Sequence, residues 1–217
     1  MSDVIDCEFT ITGDGPPLFL IHGIGAARDA WRLMVPLLAE NYTCITYDLR
    51  GHGTSPVPDK LFELDQLVDD LEALRARLGI DQAHFAGHSL GGMIGPAYAR
   101  KHPGRVLSLG LLSTAAGRTE DDSSKVWGVV RAMEKDGIEN TLQTLVNRWF
   151  TDDFIAANPE MIERRLKQVV DNNPDIFMNV FRIYAGTEMA PWLHEVDAPC
   201  LVLTGENDGG CNPRLNR

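Results

Sequence analysis

One pattern in the sequence has an immediate chemical use. Gly87-His88-Ser89-Leu90-Gly91 sets a serine between two glycines, where an apolar run (residues 83–87) gives way to a helical pattern beginning at residue 90. A strand that turns directly into a helix must bend sharply, and glycines remove the Cβ atoms where chain segments approach. Ser89 is then held in a strained conformation with its hydroxyl at the tip of the bend. The helix behind it offers free amides and the positive end of its dipole. A hydroxyl so placed attacks a carbonyl carbon, while the Leu90 amide stabilises the developing oxyanion. Gly87, His88 and Gly91 support the bend. A second oxyanion donor is needed, and His22-Gly23-Ile24-Gly25 follows an earlier apolar run. The Ile24 amide is the candidate, with the flanking glycines letting the loop come close. His22 reads as a structural residue at the edge of the pocket rather than as a base.

These residues need a scaffold. Apolar runs at residues 18–22, 43–47, 83–87 and 106–112 lack polar alternation, as expected of strands buried on both faces of a parallel sheet. Helical patterns at 29–40, 65–78 and 90–101 lie between them. In the second, Leu67, Leu71, Leu74 and Leu78 recur at helical spacing, Asp65 is placed to cap the start, and Gly79 follows the end. In the first, Trp31, Met34, Leu37 and Leu38 form an apolar stripe, with Pro36 as a bend. Residues 8–12 read as an antiparallel strand at the start of the sheet. Strand–helix alternation of this kind predicts an α/β sheet with right-handed crossovers. At Ser113 the pattern changes to helices at 124–135, 138–150, 159–171 and 174–186, before a buried strand returns at 200–204. Residues 1–112 and 199–217 thus form a core, and residues 113–198 a helical cap over a pocket, too rich in helix for a loop.

Composition narrows the function. Of 217 residues, 44% are apolar and 24% charged, and 20 basic against 31 acidic side chains give a net charge of −11. That balance, without a basic cluster, disfavours nucleic acid. No apolar stretch reaches the roughly 20 residues that span a bilayer, so no membrane partner is expected. Residues 1–9 are acidic and carry no apolar signal region. A cytoplasmic, water-soluble protein is expected. Cys7, Cys44, Cys200 and Cys211 form no C-x-x-C pair, and Cys44 and Cys200 sit in apolar runs, so buried free thiols are expected. No metal, flavin or nucleotide is implied; the elbow glycines do not make a phosphate-binding loop.

Four features together resemble the α/β-hydrolase family from about residue 18 onward: His22-Gly23, Asp48-Leu49-Arg50-Gly51-His52-Gly53, the elbow at Ser89, and Gly205-Glu206-Asn207-Asp208. Within it the chain is most similar to the 3-oxoadipate enol-lactonase-like capped esterases, and Arg148-Trp149-Phe150 resembles a lactonase cap pattern that puts Trp149 and Phe150 at the substrate pocket. The resemblance implies a structural turn at 48–53 and a small-molecule ester or lactone substrate. It also implies Asp208 as the acid that orients a histidine, with Glu206 as alternate and Asp197 as surface. Carbon–carbon bond hydrolases and cofactor-free peroxidase-like enzymes share the same serine, and a non-catalytic ligand-binding protein on the same scaffold is the rival of another class. The family's histidine follows the acid, but His22, His52, His84, His88, His102 and His194 all precede Asp208. His194 is the nearest to a substitute. The family's last strand and helix are also expected beyond Asp208, so the sequence reads as truncated, without its catalytic base and with a sheet edge open to self-association.

Overall fold

The computed structural model describes residues 4–217; Met1, Ser2 and Asp3, part of the acidic N-terminal stretch, lie outside the described residues. Six strands form one sheet: β1 (Phe9–Thr12), β2 (Pro17–Ile21), β3 (Thr43–Tyr47), β4 (Ala83–His88), β5 (Val106–Leu112) and β6 (Cys200–Leu203). Their spatial order is β1-β3-β2-β4-β5-β6; β1 runs antiparallel to β3 and every other pairing is parallel. The register sets Gly87 beside both Ile21 and Leu111, so the carboxyl ends of β2, β4 and β5 open on one side.

The continuous apolar runs are explained by burial on two faces. Phe19, Ile21, Ile45, Tyr47, Phe85 and Leu109 share one core with α2 (Leu64–Arg77) and α3 (Gly91–Lys101). Leu18, Leu20 and Cys44 point the other way, onto Trp31. Helix α2 runs one residue ahead of its predicted span. Its cap is Glu63 rather than Asp65: Glu63 and Gln66 exchange side-chain-to-backbone hydrogen bonds in a capping box. Gly79 follows with φ of 67°, as the sequence indicated.

Two predicted elements differ. The helix expected over 29–40 is a 3-10 turn, Arg28–Trp31, and one α-helical turn, α1 (Val35–Leu38). Pro36 opens that second turn, because its ring cannot follow a preceding helical turn without losing a hydrogen bond and clashing with a carbonyl. Of the expected stripe, Trp31 is buried but Met34 and Leu37 are exposed. The strand at 200–204 forms, yet all of β6 is exposed, Cys200 included, because β6 is an edge with β5 on one side only. The other three cysteines are buried free thiols.

Between β5 and β6 stand α4 (Glu120–Asp136), α5 (Ile138–Trp149), α6 (Asp152–Ala157), α7 (Pro159–Asp171) and α8 (Pro174–Gly186). Helix α6 had no counterpart in the sequence reading, and α4 starts four residues early, on a Thr119–Asp122 capping box. None of the described helices is long and apolar enough to cross a membrane.

Candidate active site

The elbow follows from steric necessity. A Cβ on Gly87 would lie 2.0 Å from the Gly91 carbonyl oxygen, and one on Gly91 would lie 2.2 Å from that of Ile21. Strand β4, helix α3 and strand β2 therefore meet backbone to backbone. Between them Ser89 adopts φ of 55°, in the left-handed region that side chains avoid. Its neighbours hold it there. The Ser89 N–H donates to Leu112 O at 2.9 Å, and Ser89 O accepts from Gly92 N at 2.9 Å and Thr114 Oγ1 at 3.0 Å.

The loop after β2 lies against this bend. A Cβ on Gly23 would come within 3.1 Å of Ser89 Cβ and 3.2 Å of His88 Nδ1. His22 is fully buried beneath the loop: its Nδ1–H donates to Gly23 O at 2.8 Å and its Nε2 accepts from Leu49 N at 3.0 Å. Burial, then the adjacent His52, lower its pKa to about 3, so the ring is neutral and structural. His22 does not line the cavity, which corrects its expected place at the pocket. Among the described residues no acceptor is found for the Ile24 or Leu90 N–H. The 48–53 turn is a prop: the Asp48 carboxylate accepts from Arg28 N at 2.7 Å and Thr54 N at 3.1 Å, and Gly53 packs on it where a Cβ would not fit.

Ser89 borders a cavity of ≈ 210 Å³ whose floor includes Gly23, Ile24, His88, Ser113 and Asp208. The helical insertion supplies the rest: Val126 and Val129 from α4, Arg148, Trp149 and Phe150 at the end of α5, Arg165 from α7, and Phe181 and Tyr184 from α8. Trp149 and Phe150 thus lie where expected, Phe150 stacked on Phe154 at 5.4 Å. Asp208 is fixed by its own loop, its Oδ1 accepting from Gly210 N at 2.8 Å and Cys211 N at 2.7 Å. Glu206 and Asp197 are exposed and do not border the cavity, which separates Asp208 from both.

The histidines sort clearly. His52 donates from Nδ1 to Arg50 O; His84 bonds Ser108; His102 ends α3; His194 is exposed in a 3-10 turn away from the cavity, which removes it as a substitute base. His88 is the exception. It borders the cavity together with Ser89, and its Nδ1 lies against the Gly23 loop. Desolvation lowers its pKa, opposed by the Asp208 charge. Ser113, Arg165, Tyr184 and Cys211 also escaped notice as site residues. Ser113 has φ of 44° at the end of β5, a strain no local pattern announces. The Tyr184 hydroxyl lies 3.2 Å from Cys211 Sγ, and burial pushes that thiol up to about 11, so it stays protonated.

A family model for the alpha/beta hydrolase fold matches residues 16–213. The chain belongs to the alpha/beta hydrolase fold family. Among curated members of that family it is 30% identical over 196 residues to 3-oxoadipate enol-lactonase 2 of Acinetobacter baylyi, covering 90% of this chain and 72% of that one. Among solved structures it superposes on the enol-lactonase of Burkholderia xenovorans with a TM-score of 0.89 and 26% identity, over 98% of this chain and 83% of the other. A bromoperoxidase from Bacillus anthracis gives a TM-score of 0.86 at 22% identity over 96% and 80%, a likeness of fold alone. This alpha/beta hydrolase is accordingly an enzyme related to the enol-lactonases.

Proposed function

We propose that the protein hydrolyses a small carboxylic ester or lactone through an acyl-enzyme on Ser89. One observation carries this: a serine strained at the tip of a strand–helix bend borders the same cavity as a carboxylate fixed by its loop. Ser89 Oγ attacks the carbonyl carbon while the Ile24 and Leu90 amides take the oxyanion. The carbonyl–oxygen bond breaks, and the departing alcohol or enol takes up the proton that Ser89 gave up. Water then adds to the acyl carbon, releasing the acid and returning a proton to Ser89. Asp208 is the carboxylate suited to orient a base there, and among the described residues its bonds are to Thr204, Gly210 and Cys211. The helices of residues 113–198 act as a cap, and its polar contribution is cationic. Arg148 borders the cavity with no ion-pair partner among the described residues, and Arg165 stands nearby. A substrate with an anionic substituent fits that wall, in keeping with the likeness to the enol-lactonases.

A neutral alkyl fluorophosphonate tests the reading. It should label Ser89 in the intact protein and fail on Ser89→Ala. A panel of p-nitrophenyl esters and enol-lactones, each with and without a carboxylate, then decides the substrate class. Absence of labelling at Ser89 would turn the reading toward a ligand-binding protein.

A further inference from the structure

Arg165 makes contacts that the hydrolytic scheme leaves unused. It reaches from α7 across the cavity wall, with its guanidinium carbon 4.7 Å from the centre of the Trp149 ring. Its Nη2 donates to Ile24 O at 2.7 Å, and its Nη1 to Gly25 O and to Gln168 Oε1 at 3.0 Å. None of these partners is a carboxylate. Burial lowers its pKa to about 10, so it is still a cation at neutral pH.

Those two carbonyls belong to the loop that carries the Ile24 amide. Three consecutive peptide groups are held there through their oxygens. Gly23 O is held by the core, accepting from His22 Nδ1. Ile24 O and Gly25 O are held by Arg165, with Asn172 Nδ2 adding a bond to Gly25 O at 3.3 Å. Gly25 sits at φ of 59° with the Phe177 ring packed where a Cβ would be. A loop in a left-handed conformation with inward carbonyls keeps its shape only while those carbonyls have donors, and two of the three depend on the helical insertion.

We propose that Arg165 is a positioning residue that completes the oxyanion loop from the insertion, so the hole is assembled only while those helices are seated on the core. The role presupposes Ser89 as nucleophile. It needs the guanidinium fork, not merely a positive charge, because one nitrogen cannot span two successive carbonyls in the same geometry.

The test uses the full chain, hydrogen–deuterium exchange over residues 22–26, and the second-order rate at which a neutral fluorophosphonate labels Ser89. Arg165→Met and Arg165→Lys should each slow labelling about 10-fold or more and speed exchange of the loop by a similar factor, leaving α2 unaffected. Asn172→Ala should act in the same direction by a few fold, and with Arg165→Lys it decides the matter if Arg165→Met does not fold. Wild-type labelling and loop exchange in Arg165→Lys would overturn the proposal, as would unchanged exchange in a folded Arg165→Met. If the unaltered protein is not labelled at Ser89, the hydrolase reading fails, while the exchange data still decide whether Arg165 holds the loop.

Discussion

At Ser89 the backbone sits in a conformation that costs an L residue on the order of 1–2 kcal/mol, and its surroundings leave no room to relax. Gly91 is the tightest of these constraints to probe. Its virtual Cβ faces backbone, the Ile21 carbonyl at 2.2 Å, which cannot swing aside as a side chain would. Gly91→Ala should cost about 3 kcal/mol or more of unfolding free energy and lower the rate of Ser89 labelling. Gly104→Ala, where a Cβ meets nothing within 4 Å, should be near neutral; urea titrations of the two variants give the comparison. His22 supports a prediction of another kind. Its folded pKa is lowered to about 3 from an ordinary 6.5, so below pH 6.5 the unfolded chain binds the proton first and stability falls as pH falls. His52 and His88 shift in the same direction. Glu72, whose value is held near 2 by the hydrogen bond from Arg75, contributes only below about pH 4.5. Between pH 6.5 and 4.5 the loss should therefore be a histidine effect of up to about 1.4 kcal/mol per pH unit for each of the buried His22 and His52 rings, and much less for the exposed His88. His22→Gln should flatten that slope in unfolding curves taken across the window.

At the scale of elements, what was legible depended on how local the signal is. Strand spans at 43–47 and 106–112 and helices at 159–171 and 174–186 read correctly because apolar periodicity and flanking Pro or Gly are properties of neighbours in sequence. The failures involve competition. Asp65 is a good capping residue by type, but Glu63 and Gln66 satisfy each other's backbone first. The 29–40 stripe has helical spacing, but Pro36 breaks it and the sheet face beneath it buries only Trp31. Strand β6 has the composition of a buried strand and an exposed position, a fact about its neighbours alone. Helix α4 offers a test of a local device. Thr119 Oγ1 accepts from Asp122 N, and Asp122 Oδ2 accepts from Thr119 N at 2.8 Å. Thr119→Ala should lower stability by about 1 kcal/mol and raise amide exchange in the first turn of α4. Arg118→Lys would not mimic it, since Arg118 instead ties the loop to the Tyr184 and Thr187 carbonyls at the end of α8.

For the whole molecule, the sequence indicated two of the residues that meet at the cavity better than it indicated the cavity's walls. Ser89 and Asp208, expected after β4 and β6, both border it, because those strands lie on either side of β5 and bring two distant segments together. Arg148, Arg165 and Tyr184 lie on three different helices of the insertion, and which faces of those helices meet depends on packing that periodicity does not encode. The same sheet order that builds the cavity makes β6 an outer strand. Leu201, Val202 and Leu203 are 58%, 41% and 54% exposed, and β5 pairs with one side of the strand only. An apolar strand with an unpaired row of backbone donors and acceptors is a template for another chain. Opposing this is a net charge of −11, which repels a second copy and is screened within about 8 Å at physiological salt. Residues 1–217 by themselves should therefore associate with rising concentration, and more at high salt than at low, as read by light scattering across a dilution series. Leu201→Lys should suppress that association without loss of thermal stability, because the side chain it replaces is already mostly in water. Equal association by Leu201→Lys would place the contact elsewhere, with the exposed Leu33 just before α1 and Leu37 within it the next surface to charge.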